Sequence, residues 1–176
     1  MLELHPLLAT RWSPRAFDPH GEVSDVELAA LLEAARWAPS RGNSQPWRFA
    51  IGRRGSEQHK RIFANLNHHN QRWAGDAAVL LVASHLTGAG FGHAAYDLGQ
   101  AVAHLTVQAG ALGLHVHQMA GFAPDSLAVD LDLPDGVTPK VVVAVGRLGH
   151  PDRLPDDLRV RETALRDRRP LADLVL

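Results

Sequence analysis

The sequence reads as a fold that mixes helices and strands, on three observations. Two continuous apolar runs of strand length, Ala77 to Ser84 and Val141 to Gly146, suit strands buried on both faces. A stretch from about Ala94 to Leu112 repeats Leu98, Ala101, Val102, Leu105, Ala109 and Leu112 at the spacing of a helix. Ser24-Asp25-Val26-Glu27 is a capping box in front of a second apolar stripe.

The elements follow in order. Leu4, Leu7 and Leu8 predict a short helix ending near Thr10. The capping box opens a helix carrying Val26, Leu28, Leu31, Leu32 and Ala35, which ends near Trp37 because Pro39 disfavours helix at Ala38. Trp47 to Gly52 reads as a strand. Ser56 to Asn67 reads as a helix that buries Ile62, Phe63 and Leu66. After the central strand and the short Gly-rich link from Leu86 to Gly92 comes the long helix. Gly113 is its expected stop. Leu114 to Met119 alternates like a strand, Pro124 to Leu131 is a short helix, and Pro134-Asp135-Gly136 is a turn before the second buried strand. From His150 to Pro170 the tail is polar, and it ends in the apolar Leu171-Ala172-Asp173-Leu174-Val175-Leu176, which needs a partner surface.

Composition narrows the function. The 176 residues fit one domain, 1–176, long enough to bury roughly 70% of its unfolded surface. A formal charge of −1 supplies no basic field for nucleic acid or an anionic membrane. The absence of cysteine excludes disulfides, thiolate metal sites and cysteine nucleophiles. The start, Met1 to Pro6, lacks the pattern of a signal peptide, and the run from Ala77 to Ala83 is too short to span a bilayer, so a cytoplasmic protein is expected. No dinucleotide fingerprint, Walker loop or nucleophile elbow is present. His115 and His117, two apart on a strand, lack a third ligand, so no metal site is expected; His117 is a candidate for a substrate pocket.

Several polar segments carry ligand-binding chemistry. Arg11-Trp12-Ser13-Pro14-Arg15-Ala16-Phe17 places two guanidinium forks four apart with a hydroxyl between them, a combination suited to a phosphate; a solvated basic turn has the same pattern. The stretch Ala38-Pro39-Ser40-Arg41-Gly42-Asn43-Ser44-Gln45-Pro46-Trp47-Arg48-Phe49 joins a helix to a strand through neutral hydrogen-bonding groups beside one cation. Asn65, Asn67 and Asn70 precede the central strand, and Gln118-Met119-Ala120-Gly121-Phe122 ends a strand in small residues that allow close backbone approach. Arg166-Asp167-Arg168-Arg169-Pro170 is basic.

Taken together and in this order, these segments resemble the FMN-dependent nitroreductase family. The pattern A-P-S-x-x-N-x-Q-P-W-x-F and the N-terminal R-x-S-x-R-x-F carry the resemblance. Tyr96-Asp97-Leu98-Gly99-Gln100-Ala101, opening the long helix, supports it. The resemblance implies an α+β, three-layer α/β/α fold with a mixed, mostly antiparallel sheet, in an intertwined homodimer. It implies bound FMN, with NAD(P)H as electron donor. Arg11, Trp12, Ser13 and Arg15 would contact the flavin phosphate and ribityl chain, and Arg166 and Arg168 would complete the phosphate site. Pro39, Ser40, Arg41 and Asn43 would come from the opposite subunit, with Arg41 reaching the phosphate or gating the pocket. Asn70 is the best match for the residue at the pyrimidine edge, with Asn65 and Asn67 as neighbours. Met119, Ala120 and Gly121 would face the ring, a backbone amide there bonding N5. Which arginines serve the phosphate and which the ring stays open. The implied chemistry is ping-pong reduction of a nitroaromatic, quinone or related small acceptor, with no obligatory catalytic side chain. A flavin dehydrogenase that does not use nicotinamide and a non-catalytic flavin-storage protein are the alternatives.

Overall fold

A computed structural model describes residues 3–176. Met1 and Leu2, where the reading of a leader-free start begins, lie outside the described residues. The chain forms α1 (Pro6–Thr10), α2 (Asp25–Arg36), β1 (Trp47–Arg53), α3 (Glu57–Ala64) and α4 (His68–Gln71). It continues through β2 (Val79–Leu86), α5 (Ala94–Ala111), β3 (His115–Met119), α6 (Pro124–Asp130), β4 (Val137–Gly146) and α7 (Asp156–Thr163).

The four strands form one sheet in the order β1-β2-β4-β3, antiparallel at every pairing. The alternating side chains of β2 and β4 divide the interior into two cores. Val79, Leu81, Ala83, Val143 and Val145 face α2 and α5, whereas Leu80, Val82, Val142 and Ala144 face the side of Ile62 (α3), Leu127 (α6) and Leu158 (α7). Helices therefore cover both faces, giving three layers. Because both faces are buried, β2 and the end of β4 read as unbroken apolar runs. β4 begins earlier than its apolar run suggests, at Val137. Pro139 is accommodated where the register with β2 shifts between Ala83 and Ser84.

The local signals for α2 and α5 hold. Ser24 Oγ accepts from the Glu27 N–H, and the Glu27 carboxylate accepts from the Ser24 N–H. Gly113 (φ 68°) takes the left-handed conformation that stops α5. Two segments differ from expectation. The helix expected to run to Asn67 stops at Ala64, because Asn67 turns extended and its side chain accepts from the Asn70 N–H to cap α4. The polar tail contains α7, whose few buried groups, Leu158 and Glu162, are hidden among charged residues. No helix among the described residues is long and apolar enough to cross a membrane.

Candidate functional site

The N-terminal and C-terminal arginine segments lie side by side. Arg11 Nη1 donates to Ser13 Oγ at 3.3 Å, and Arg166 Nη1 donates to the Arg11 carbonyl at 2.7 Å. Partial burial holds the Arg11 guanidinium below its ordinary pKa, with the nearby charges of Arg168 and Arg166 adding to the effect. Like charges thus face one another here. Arg15 lies further along the same segment; its Nη1 is 3.9 Å from the buried Glu162 carboxylate, and its buried Nε has no hydrogen-bond partner among the described residues. Trp12 and Arg11 line a cavity of about 110 Å³ with Thr106, Gly110 and His115, at the C-terminal end of α5.

A second cluster forms where β3 ends. The Gly121 carbonyl accepts from the Asn67 backbone N–H at 2.9 Å and from Asn70 Nδ2 at 3.0 Å. A Cβ at Gly121 would lie 2.8 Å from Asn67 Cγ and 3.0 Å from Asn70 Nδ2, so the two amides fill the space a side chain would take. Asn65 is committed elsewhere: its Nδ2 donates to the Arg61 carbonyl and to Asp130 Oδ2. Of the three asparagines, Asn67 is exposed beside Gly121 and Asn70 is buried behind it. Ala120 is exposed, but the Met119 side chain is buried in the core, which leaves only its backbone for a ligand.

His117 packs between two distant segments. Its ring packs against Trp73 at 4.4 Å between centroids, and Nδ1 donates to the Pro14 carbonyl at 2.9 Å. Because a carbonyl only accepts, Nδ1 must carry the proton. Burial is the main cause that lowers its pKa to about 4. His117 therefore braces the arginine segment. No metal-binding cluster of His, Cys, Asp and Glu occurs among the described residues.

The loop containing Pro39, Ser40, Arg41 and Asn43 stands apart from the Arg11–Trp12 cluster. It is strained: Gly42, Asn43 and Gln45 have positive φ, and Ser40 Oγ accepts from the Gln45 N–H. Asp97, buried in the first turn of α5, accepts from the Arg41 N–H at 3.1 Å. Asp97 and Gly110 are 13 residues apart on one helix, or about 20 Å. Within one chain, this loop and the Arg11–Trp12 cluster therefore sit at opposite ends of α5.

Comparison with known proteins places this architecture. Residues 8–64 match the model of the Nitroreductase family. A solved oxidoreductase containing FMN is 38% identical, with a TM-score of 0.92 over 99% of this chain and 91% of that one. The chain belongs to the nitroreductase family. A nitroreductase-type protein from Desulfovibrio desulfuricans, solved in complex with FMN, is 25% identical over 99% of this chain and 97% of its own, with a TM-score of 0.79. The major NAD(P)H-flavin oxidoreductase of Aliivibrio fischeri is 38% identical over 38% of this chain and 33% of its own length. The matches to curated relatives span about half of those proteins or less.

The nitroreductase-family match runs from α1 through α3, so it includes Arg11 to Phe17 and Pro39 to Phe49. Asn70, Gly121, Arg166 and Arg168 lie beyond it and are covered by the structural likeness. Sequence reasoning missed Glu162 and Asp97 as anchors of the two loops. Asp97 stands in the segment that opens the long helix, but nothing there ties it to Arg41, and no motif marks Glu162.

Proposed function

We propose that the chain is one FMN-binding domain of an NAD(P)H oxidoreductase that acts as a homodimer on a small acceptor such as a nitroaromatic or quinone. The observation that carries this reading is the cluster of Arg11, Ser13, Arg166 and Arg168, whose mutually facing charges suit a dianionic phosphate. The Gly121 cradle supports it: a position that excludes a Cβ, flanked by two amides, suits the edge of a polar heterocycle. Similarity to proteins named as containing FMN or as NAD(P)H-flavin oxidoreductases points the same way.

Bound FMN would supply the electron chemistry between NAD(P)H and the acceptor. The chain's residues bind and orient it. Arg11, Ser13, Arg15, Arg166 and Arg168 would hold the phosphate and ribityl end. The Ala120–Gly121 backbone, with Asn67 and Asn70, would hold the ring.

Pro39, Ser40, Arg41 and Asn43 reach the same flavin only from a second copy, given the roughly 20 Å between the two ends of α5. The outer surface favours such a copy. Gly99 on α5 has open space beside it, and Val26, Trp37 and Tyr96 are exposed. A groove of about 720 Å³ between α1, α2 and α5 is lined mainly by apolar groups, among them Leu7, Leu8, Trp37 and Val107. The exposed Leu171, Leu174 and Val175 in the tail need cover as well.

The test is anaerobic titration of the purified yellow protein with NADH and NADPH. Loss of the flavin absorbance, restored by a quinone, is expected. Flavin that binds but is not bleached would identify a storage protein, and a protein that binds no FMN would end the reading.

A further inference from the structure

Glu162 lies in the last turn of α7, and its side chain is fully buried. A carboxylate removed from water requires compensation. Here the compensation is backbone: the Arg15 N–H donates to both carboxylate oxygens and the Ala16 N–H donates to Oε1, all at 2.9 Å. The Arg15 guanidinium is more distant, at 3.9 Å. Glu162 therefore holds the peptide of the arginine segment and leaves the Arg15 guanidinium beyond hydrogen-bond distance. Four residues further on, Arg166 donates to the Arg11 carbonyl. These two ties lay residues 162–166 alongside residues 11–16. His117 on Pro14 holds the same segment from the strand side.

We propose that Glu162 is a positioning residue that registers the two arginine-bearing segments against each other and so builds the phosphate half of the site. The inference rests on the FMN reading above. Glutamine at this position has the same shape, but its Nε2 would turn a donor toward the Arg15 N–H. Only Oε1 would still accept from the Arg15 and Ala16 N–H groups, now without the charge, so the anchor would weaken and the guanidinium would lose its place. An opposing effect exists, because the carboxylate repels a phosphate nearby and competes for Arg15. The measured sign decides between them.

The experiment compares FMN with riboflavin, which lacks the phosphate, by fluorescence titration of the wild-type apoprotein and E162Q. Thermal unfolding of the apo forms is followed in parallel. The expected result is a loss of about tenfold or more in FMN affinity and less than about threefold in riboflavin affinity, the scale of charge-assisted hydrogen bonds. Equal losses for both ligands would make Glu162 merely structural and overturn the proposal. Tighter FMN binding would make it a competitor of the phosphate and also overturn it. If E162Q does not fold, E162D decides by the same ratio, since it keeps the charge and withdraws its reach. Failure of both variants to fold assigns Glu162 to stability alone and overturns the proposal. Wild-type protein that binds FMN no better than riboflavin removes the phosphate-site reading itself. Selective wild type with unchanged E162Q removes only this inference.

Discussion

The carbonyl of Gly121 accepts a hydrogen bond from the side-chain amide of Asn70, and the amide of Asn67 occupies the place of the missing Cβ. The end of β3 is thus built onto the turn that caps α4. On the proposed reading, a close approach of backbone to flavin at Ala120 and Gly121 depends on two asparagines from a different part of the chain.

Replacing Gly121 therefore acts on folding as well as on the ligand. Gly121→Ala is expected to destabilise the apoprotein by about 1–3 kcal/mol, the scale of overpacking, and Gly121→Val by more. FMN affinity should fall in both, because Asn67 has to move. Calorimetry of the apo forms and flavin titration measure the two effects. An alanine variant with wild-type stability and turnover would place the cradle elsewhere.

Arg15→Ala should weaken FMN binding by about 1.5–3 kcal/mol, the scale of a hydrogen bond to a charged group. The control matters. Arg72 pairs in bidentate fashion with Asp157 on α7, the helix that carries Glu162, so it is tied to the site. Lys140, exposed on β4, serves as the control. Equal losses in Arg15→Ala and Lys140→Ala would show the phosphate site to be misplaced.

The His117 brace has a pH signature. Its pKa in the folded protein is about 4, against an ordinary 6.5, chiefly because of burial. The sign follows from proton uptake: between these values the unfolded chain binds a proton that the folded chain refuses. The stabilisation is complete above pH 6.5 and drains away as pH falls toward 4, by roughly 3 kcal/mol at most. His59 and His115, also lowered by burial, drain in the same direction. The difference between wild type and His117→Phe isolates the one residue. Denaturant titrations from pH 7 to 4 should show a shallower slope in the variant; parallel slopes would assign the effect to other groups.

The parts of this fold legible in sequence are those where a local pattern and the tertiary role agree. Ser24 and Glu27 cap α2 within four residues, and the unbroken run of β2 follows from burial on both faces. α7 was not legible, because its buried positions are one leucine and one glutamate among charged neighbours. The arginine segments were legible as chemistry, but the groups that place them were not. Glu162 reaches Arg15 across 147 positions and Asp97 reaches Arg41 across 56, and spacing carries no trace of either contact. His117 was legible as a polar group on a strand, yet its partners Trp73 and Pro14 come from distant segments and turn it inward.

The separation along α5 supports a sharper test of the dimer than its mass. If each site takes its arginines from one subunit and its Ser40 loop from the other, defects in the two parts combine unequally. Asn43→Gly removes the amide and keeps the backbone, since Asn43 already has φ 56°. In a heterodimer of one Arg15→Ala chain and one Asn43→Gly chain, one site carries both defects and the other carries none. Differently tagged chains, co-expressed and purified in tandem, should therefore bind FMN at one site with wild-type affinity, although each parent homodimer binds weakly at both. If arginines and loop served the flavin within a single chain, every site would carry one defect. The heterodimer would then show no wild-type site, and the shared-site architecture would have to be abandoned.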